Sequence, residues 1–344
     1  MVDREPARGF ALEGLDATDV AQRHLGILRM IAPTGWLRAP TEMQRTAALV
    51  ATGVSGDSAL VADRAIAAGD AFAKGLPFWV GLRGDIRIAI GTFLVAFGLT
   101  PEDALALRQA VRRRYRDDGA GYVEPHAFLA ALVHRRRTGP APDTALSTGD
   151  GAVTRIQASI RLLRQRYWFS YYHDVAPLLA AQPGSLDPAE RFAEKLRRTV
   201  QRLKDAGFPS YADRLRTALI LLAAGPEPAA TVRLMEDWRQ GLKGQPLPHK
   251  RLGSAGLALM ALGWGSADRE GLEAMARLYG GLRHGRPKAD PATAVNSAAA
   301  LLARMGPAQG RGPLDPDTAF FLFDAQAASL ACAEGAAASQ EDED

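Results

Sequence analysis

Along this chain, short apolar stretches alternate with longer stretches in which apolar residues recur every three or four positions among charged ones. The short ones are RTAALVATG (45–53), IGTFLVAFG (90–98), ALILLAAG (218–225), GLALMALG (256–263) and AAALLARMG (298–306), each rich in Ala or Leu and each ending in glycine. A helix that is hydrophobic on nearly every side belongs in an interior. The longer stretches read differently. After Thr100, ALALRQAVRRRY sets Leu105, Leu107, Val111 and Tyr115 among arginines, and after Asp187, RFAEKLRRTVQRL sets Phe192, Leu196, Val200 and Leu203 at near-helical spacing. These helices keep one wet face.

The stops recur. Apolar helices end in or near Gly53, Gly98, Gly139, Gly184, Gly225, Gly263 and Gly306, at spacings of 45, 41, 45, 41, 38 and 43 residues. Glycine takes the left-handed conformation that ends a helix without a Cβ penalty, so a regular recurrence implies a recurring helical unit. Starts are marked by Thr100-Pro101, Asp187-Pro188 and Asp290-Pro291, each a capping residue followed by proline at the first helical position. The expected fold is therefore all-α: about seven helical hairpins of about 42 residues, a buried inner helix alternating with an amphipathic outer one, forming an α-α superhelix or an α/α toroid. Residues 1–39 would hold an N-terminal segment and a first helix, 40–334 the repeat domain, and 335–344 an acidic, disordered tail; any subdivision would fall at 138–151. Asp315-Pro316 starts a final helix whose apolar face is expected to cap the stack.

Composition agrees with helices: Ala, Leu and Arg are abundant, and β-branched residues are sparse. The first residues, MVDREPARGF, lead into no apolar segment of a secretory signal, and the longest nearly uncharged run, residues 88–99, is shorter than the roughly 18–20 residues that span a bilayer. With a single cysteine, Cys332, the chain has no internal disulfide, and a cytoplasmic location without membrane insertion is expected. Charge adds an asymmetry. Residues 108–166 carry twelve arginines against five acids, whereas the chain ends in four consecutive acids.

Two resemblances follow. LRRTVQRLKDAGFPSYADRLRTALILLAAG (196–225) and GLALMALGWGSADREGLEAMARLYGGLR (256–283) resemble a bacterial family of helical-repeat proteins known only as a domain of unknown function. That resemblance implies a fold and brings no activity. More distantly, RRRYRDDGAGYVEPHAFLAALV (112–133) is similar to the hairpins of the terpenoid-cyclase and protein-prenyltransferase toroids, whose inner helices surround a cavity. Their functional residues do not carry over: the chain has no DxDD cluster, and Cys332 stands in no zinc-ligand pattern.

Candidate chemistry is sparse. No two of the six histidines stand at the spacing that puts two ligands on one helix face, so no metal and no cofactor is expected. The stretch YWFSYYHD (167–174) concentrates aromatics that are rare elsewhere. Trp168, Tyr171, Tyr172 and His173, with His126, are the candidates for contact with a ligand or partner, against a purely structural filling of a hairpin junction. Arg112, Arg113, Arg114, Arg135, Arg136, Arg137, Arg161 and Arg164 are the candidates for a basic patch, which could take an acidic partner or phosphates, although arginines near helix ends also complement the helix dipole. No phosphate loop and no nucleophile elbow occurs. The pattern thus points to an interaction scaffold that binds a protein or peptide on a concave face. The alternatives are an enzyme or small-molecule binder using the hollow of a toroid, and a nucleic-acid-associated protein using the basic 108–166 segment.

Overall fold

A computed structural model of the chain describes residues 12, 15–32, 40–77, 84–117, 126–138, 156–158, 160–161, 175–182, 189–225, 227–306 and 323–328. Among these residues the structure is all-helical, with no strand. The helices are α1 (Ala17–Ile31), α2 (Glu42–Thr52), α3 (Ser58–Lys74), α4 (Gly84–Phe97), α5 (Pro101–Asp117), α6 (His126–Thr138), α7 (Ala176–Ala180), α8 (Ala189–Asp205), α9 (Tyr211–Ala224), α10 (Pro228–Gly241), α11 (Ser254–Gly263), α12 (Arg269–His284) and α13 (Pro291–Met305). Short helical stretches also occur at 156–158 and 323–328. No single described helix is long and apolar enough to cross a membrane.

Local chemistry fixes many of the helix starts. Thr41 and Gln44 form a reciprocal capping box on α2, and Asp57 accepts from the Ala59 amide at the start of α3. Of the three proline-marked starts, Thr100 accepts from the Asp103 amide at α5 and Asp290 accepts from the Ala292 and Thr293 amides at α13. The third, Asp187-Pro188, lies outside the described residues. Asp16, Ser210 and Asp268 cap α1, α9 and α12 in the same way.

Burial separates two kinds of helix. Nine of the ten residues of α11 and eight of the eleven of α2 are buried, against five of sixteen in α12 and five of seventeen in α3. The apolar helices pack on one another in succession: α2 on α4, α4 on α6, α6 on α7, α7 on α9, α9 on α11 and α11 on α13. The amphipathic helices line their outside, with α1 against α3, α3 against α5, and α8 against α10. One continuous core joins them, in which Phe72 of α3 stacks on Phe128 of α6 at 5.2 Å. The first and last described hairpins also meet: α1 packs on α12, and α2 on α13.

The terminal glycines divide by cause. Gly98 and Gly225 follow the left-handed expectation, with φ of 66° and 79°. Gly53, Gly263 and Gly306 do not take that conformation; they are glycine because of crowding. A Cβ on Gly263 would collide with the Ala303 carbonyl, one on Gly306 with the Gly263 carbonyl, and one on Gly53 with the Arg304 guanidinium. The backbones of α11 and α13 therefore converge at their C-terminal ends to a distance that only hydrogen side chains permit, while at Gly53 the Arg304 side chain takes the space. The other stops, Gly139 and Gly184, lie outside the described residues.

Of the expected final helix only residues 323–328 are described, and all six are buried, including Asp324 and Gln326.

Crowding and helix propensity make opposite predictions for the same substitution. Gly263→Ala should lower the unfolding free energy by about 1–3 kcal/mol through overpacking. Gly280→Ala, in α12 with nothing near the new methyl, should raise it by about 0.5–1 kcal/mol. Denaturant melts of the two variants check both signs.

Candidate functional site

Among the described residues, a set of polar contacts gathers at the ends of the inner helices. At the N-terminal ends, the Asp213 carboxylate of α9 accepts from the Ser254 amide (2.6 Å) and hydroxyl (2.7 Å) at the start of α11. Thr217 adds a hydroxyl contact with Ser254 at 2.9 Å. Asn296 of α13 accepts from the Gly253 amide (3.0 Å) and donates to the Arg251 carbonyl (3.0 Å). Each neighbour thus supplies partners that the start of α11 would otherwise lack. This collar joins α9, α11 and α13.

A second set of polar contacts bridges the seam between the first and last hairpins. Arg29 donates to the Arg286 carbonyl at 2.8 Å, and Arg45 to the Lys288 carbonyl at 3.3 Å. A Cβ on Gly281 of α12 would touch Ala21 of α1, so the helices approach closely there as well. On the α1–α2 side, Arg23 donates to the carbonyls of Thr52, Val54 and Gly56, closing the exposed end of α2. His24 is buried beside it, with Nδ1 3.2 Å from the Thr52 hydroxyl, which itself donates to the Ala48 carbonyl. Burial is the main cause that lowers the His24 pKa to about 4, with Arg45 adding to it and a backbone hydrogen bond at Ala48 opposing.

The most distinctive cluster centres on Arg304 in α13. Its Nη1 donates to the Leu49 (2.9 Å) and Val50 (3.2 Å) carbonyls at the end of α2, where the helix dipole is negative. Its guanidinium lies 4.4 Å from the centre of the Phe323 ring, and Nη2 stands 3.6 Å from Asp324 Oδ1. Both side chains of this ion pair are buried, at 4% and 7% exposure. Burial pushes the Asp324 carboxyl up to about 6, against the pull of Arg304 and of Arg136 on α6. Burial also lowers Arg304, and Asp324 opposes that. One cation thereby joins α13, α2 and the 323–328 stretch.

Of the residues singled out from the sequence, Arg136 acts on Asp324 of this cluster. Trp168, Tyr171, Tyr172, His173 and Arg164 lie outside the described residues. His126 begins α6 and is buried at 1% exposure, with no open face toward solvent. Arg112 and Arg113 are exposed on α5 and Arg114 is half-buried; on α6, Arg136 is exposed while Arg135 and Arg137 are half-buried. Arg161 is exposed. Val111 and Tyr115 of α5 cluster with Ala127 and Ala131 of α6, so the end of α5 lies beside the start of α6.

Arg304 and Asp324 escaped the sequence reading, although a signal was present. Each is the lone charge in an apolar run, AAALLARMG and FFLFDAQAA, and a charge inside a helix with no wet face must find a partner. Among the described residues no group of three or more His, Cys, Asp or Glu side chains could hold a metal ion. No family model, no curated protein and no solved structure matches the chain.

The His24 environment has a pH signature. Its folded pKa lies below the unfolded value near 6.5, so its stabilising neutrality is complete above about pH 6.5 and is lost as the pH falls toward 4. The loss reaches about 3 kcal/mol, at roughly 1.4 kcal/mol per pH unit. Asp324 acts with the opposite sign: its raised carboxyl favours the folded state at low pH, and that contribution is lost as the pH rises from about 4 through 6. His24→Gln should therefore flatten or reverse the acid-side fall in stability. Urea melts from pH 7.5 to 4.5 check this; an unchanged slope would show that His24 does not carry it.

Proposed function

We infer that the hairpins close into an α/α toroid of seven units that works as a binding module for a protein or peptide partner. The observation that carries the reading is the packing of α1 on α12 and of α2 on α13, which joins the two ends of the succession of apolar helices. The count of seven has support from the apolar helices α2, α4, α6, α7, α9, α11 and α13, which follow the same order as the seven glycine stops. In an open superhelix the first and last hairpins would each present an uncovered apolar flank.

Closure changes where a partner would bind. The inner helices bury their sides in one another, and buried residues 323–328 lie against α13, so the concave face of an open stack gives way to the outer helices as the recognition surface. The toroid-cavity reading, with an enzyme or small-molecule binder, has less support for the same reason. On α5, Arg112, Arg113 and Arg116 are exposed together. Three guanidinium groups on one helix end fit an acidic protein segment, and arginine gives such contacts bidentate geometry. The nucleic-acid alternative uses the same side chains and is separable by experiment.

Titrating the full chain into a fluorescein-labelled poly-glutamate peptide, and separately into a single-stranded oligonucleotide, tests the reading by anisotropy. The expected result is salt-sensitive binding of the peptide that Arg112→Glu/Arg113→Glu weakens at least ten-fold with unchanged helicity. Preference for the oligonucleotide would favour the nucleic-acid alternative. Binding of both probes unaffected by the double substitution would remove α5 from the account.

A further inference from the structure

The junction of the first and last described hairpins gathers more positive charge than it neutralises. Three arginine donors hold the loop between α12 and α13: Arg29 of α1 donates to the Arg286 carbonyl (2.8 Å), Arg45 of α2 to the Lys288 carbonyl (3.3 Å) and Arg283 of α12 to the Ala289 carbonyl (3.0 Å). Two further cations, Arg286 and Lys288, stand on the loop itself, and both are exposed. Against these five, two carboxylates are tied to the junction, and both are committed. Glu42 lies 3.8 Å from Arg45 and 3.5 Å from the Thr293 hydroxyl, while Asp290 accepts from the Ala292 and Thr293 amides as the cap of α13.

Arg29, Arg286 and Lys288 are the open part of this set. The Nε–H of Arg29 is spent on the Arg286 carbonyl, which leaves the two terminal nitrogens of an exposed guanidinium without a protein partner. The side chains of Arg286 and Lys288 make no hydrogen bond or ion pair; their carbonyls do the holding, and both carbonyls turn toward the first hairpin. The backbone is therefore fixed while the charged ends stay available. An anion relieves the mutual repulsion of such cations, and a backbone already in place lowers the ordering cost of binding. Arginine offers phosphate oxygens a two-pronged donor and lysine a point charge. Linked phosphates bring one charge for each cation within a short length, which the separated carboxylates of a peptide do not.

We propose that Arg29, Arg286 and Lys288 form a binding site for a chain of linked phosphates, as in a nucleoside triphosphate or a short inorganic polyphosphate, which bridges the first and last hairpins. The site is separate from the α5 surface and requires only the packing of α1 on α12. A ligand that contacts α1 and the α12–α13 loop together binds when both are in place, so its binding favours the closed junction.

Calorimetric titration of the full-length chain with tripolyphosphate, at fixed ionic strength and without divalent cations, tests the site. Saturable binding is expected, at least ten-fold tighter than that of inorganic phosphate. Arg286→Gln/Lys288→Gln should weaken it at least ten-fold with unchanged helicity, because the substitution keeps the carbonyls that hold the loop. Arg112→Glu/Arg113→Glu should leave it intact. At about 100 times its Kd, tripolyphosphate should raise the melting midpoint of the wild-type chain by about 4 °C, and that of the Arg286→Gln/Lys288→Gln chain by less than half as much. ATP in place of tripolyphosphate separates the two sources: tighter binding assigns the site to a nucleotide, and equal or weaker binding to the free phosphate chain. Absence of saturable tripolyphosphate binding would overturn the proposal. Equal affinity of the wild-type and Arg286→Gln/Lys288→Gln chains, loss of binding in the α5 variant, or loss of cooperative unfolding in Arg286→Gln/Lys288→Gln would overturn it as well.

Discussion

The structure depends on the mutual burial of its apolar helices. α11 keeps nine of its ten residues away from solvent, and α13 eleven of fifteen. A helix in that state has no stable existence alone, because its apolar surface must be covered on every side and its end groups satisfied by neighbours. Here the neighbours do both. Leu and Ala side chains fill the sides, Asp213 and Asn296 serve the start of α11, and Arg304 serves the end of α2. Each inner helix is thus completed by the next, and the outer helices, with four or five buried positions in α3, α5, α10 and α12, add a single apolar stripe each.

Close packing then dictates the glycines. Where α11 and α13 end, carbonyl oxygens of one helix occupy the space that a Cβ of the other would need. Recurrence of glycine at the ends of the inner helices has two physical origins in one chain: reversal of the backbone at Gly98 and Gly225, and proximity at Gly53, Gly263 and Gly306. Sequence spacing registers both in the same way. These helix ends were therefore legible from the glycines, but the reason for each glycine was not.

Much of the fold was legible for related reasons. An Ala/Leu run without charges reads as a buried helix because nothing in it can face water, and Asp290-Pro291 reads as a start because both residues act through local backbone chemistry. The polar site was harder to see. Arg304 and Leu49 are 255 positions apart, and Arg304 acquires its role only when the last hairpin meets the first. His24 carried no distinguishing signal in the sequence, and the approach of α2 buries it against Thr52. Pairing information of this sort resides in the three-dimensional assembly, and periodicity does not encode it.

Contact between the first and last hairpins is the central claim, because the seam and the Arg304 cluster both presuppose it. Spin labels at two exposed positions, Asp19 on α1 and Arg277 on α12, with Cys332 replaced by serine, measure it directly by pulsed dipolar spectroscopy. Packing of α1 on α12 predicts a single distance below about 20 Å, given helix separations of about 8–10 Å. An open stack of the same hairpins would set the labels about 50 Å or more apart at that spacing, and a distance in that range would contradict the account.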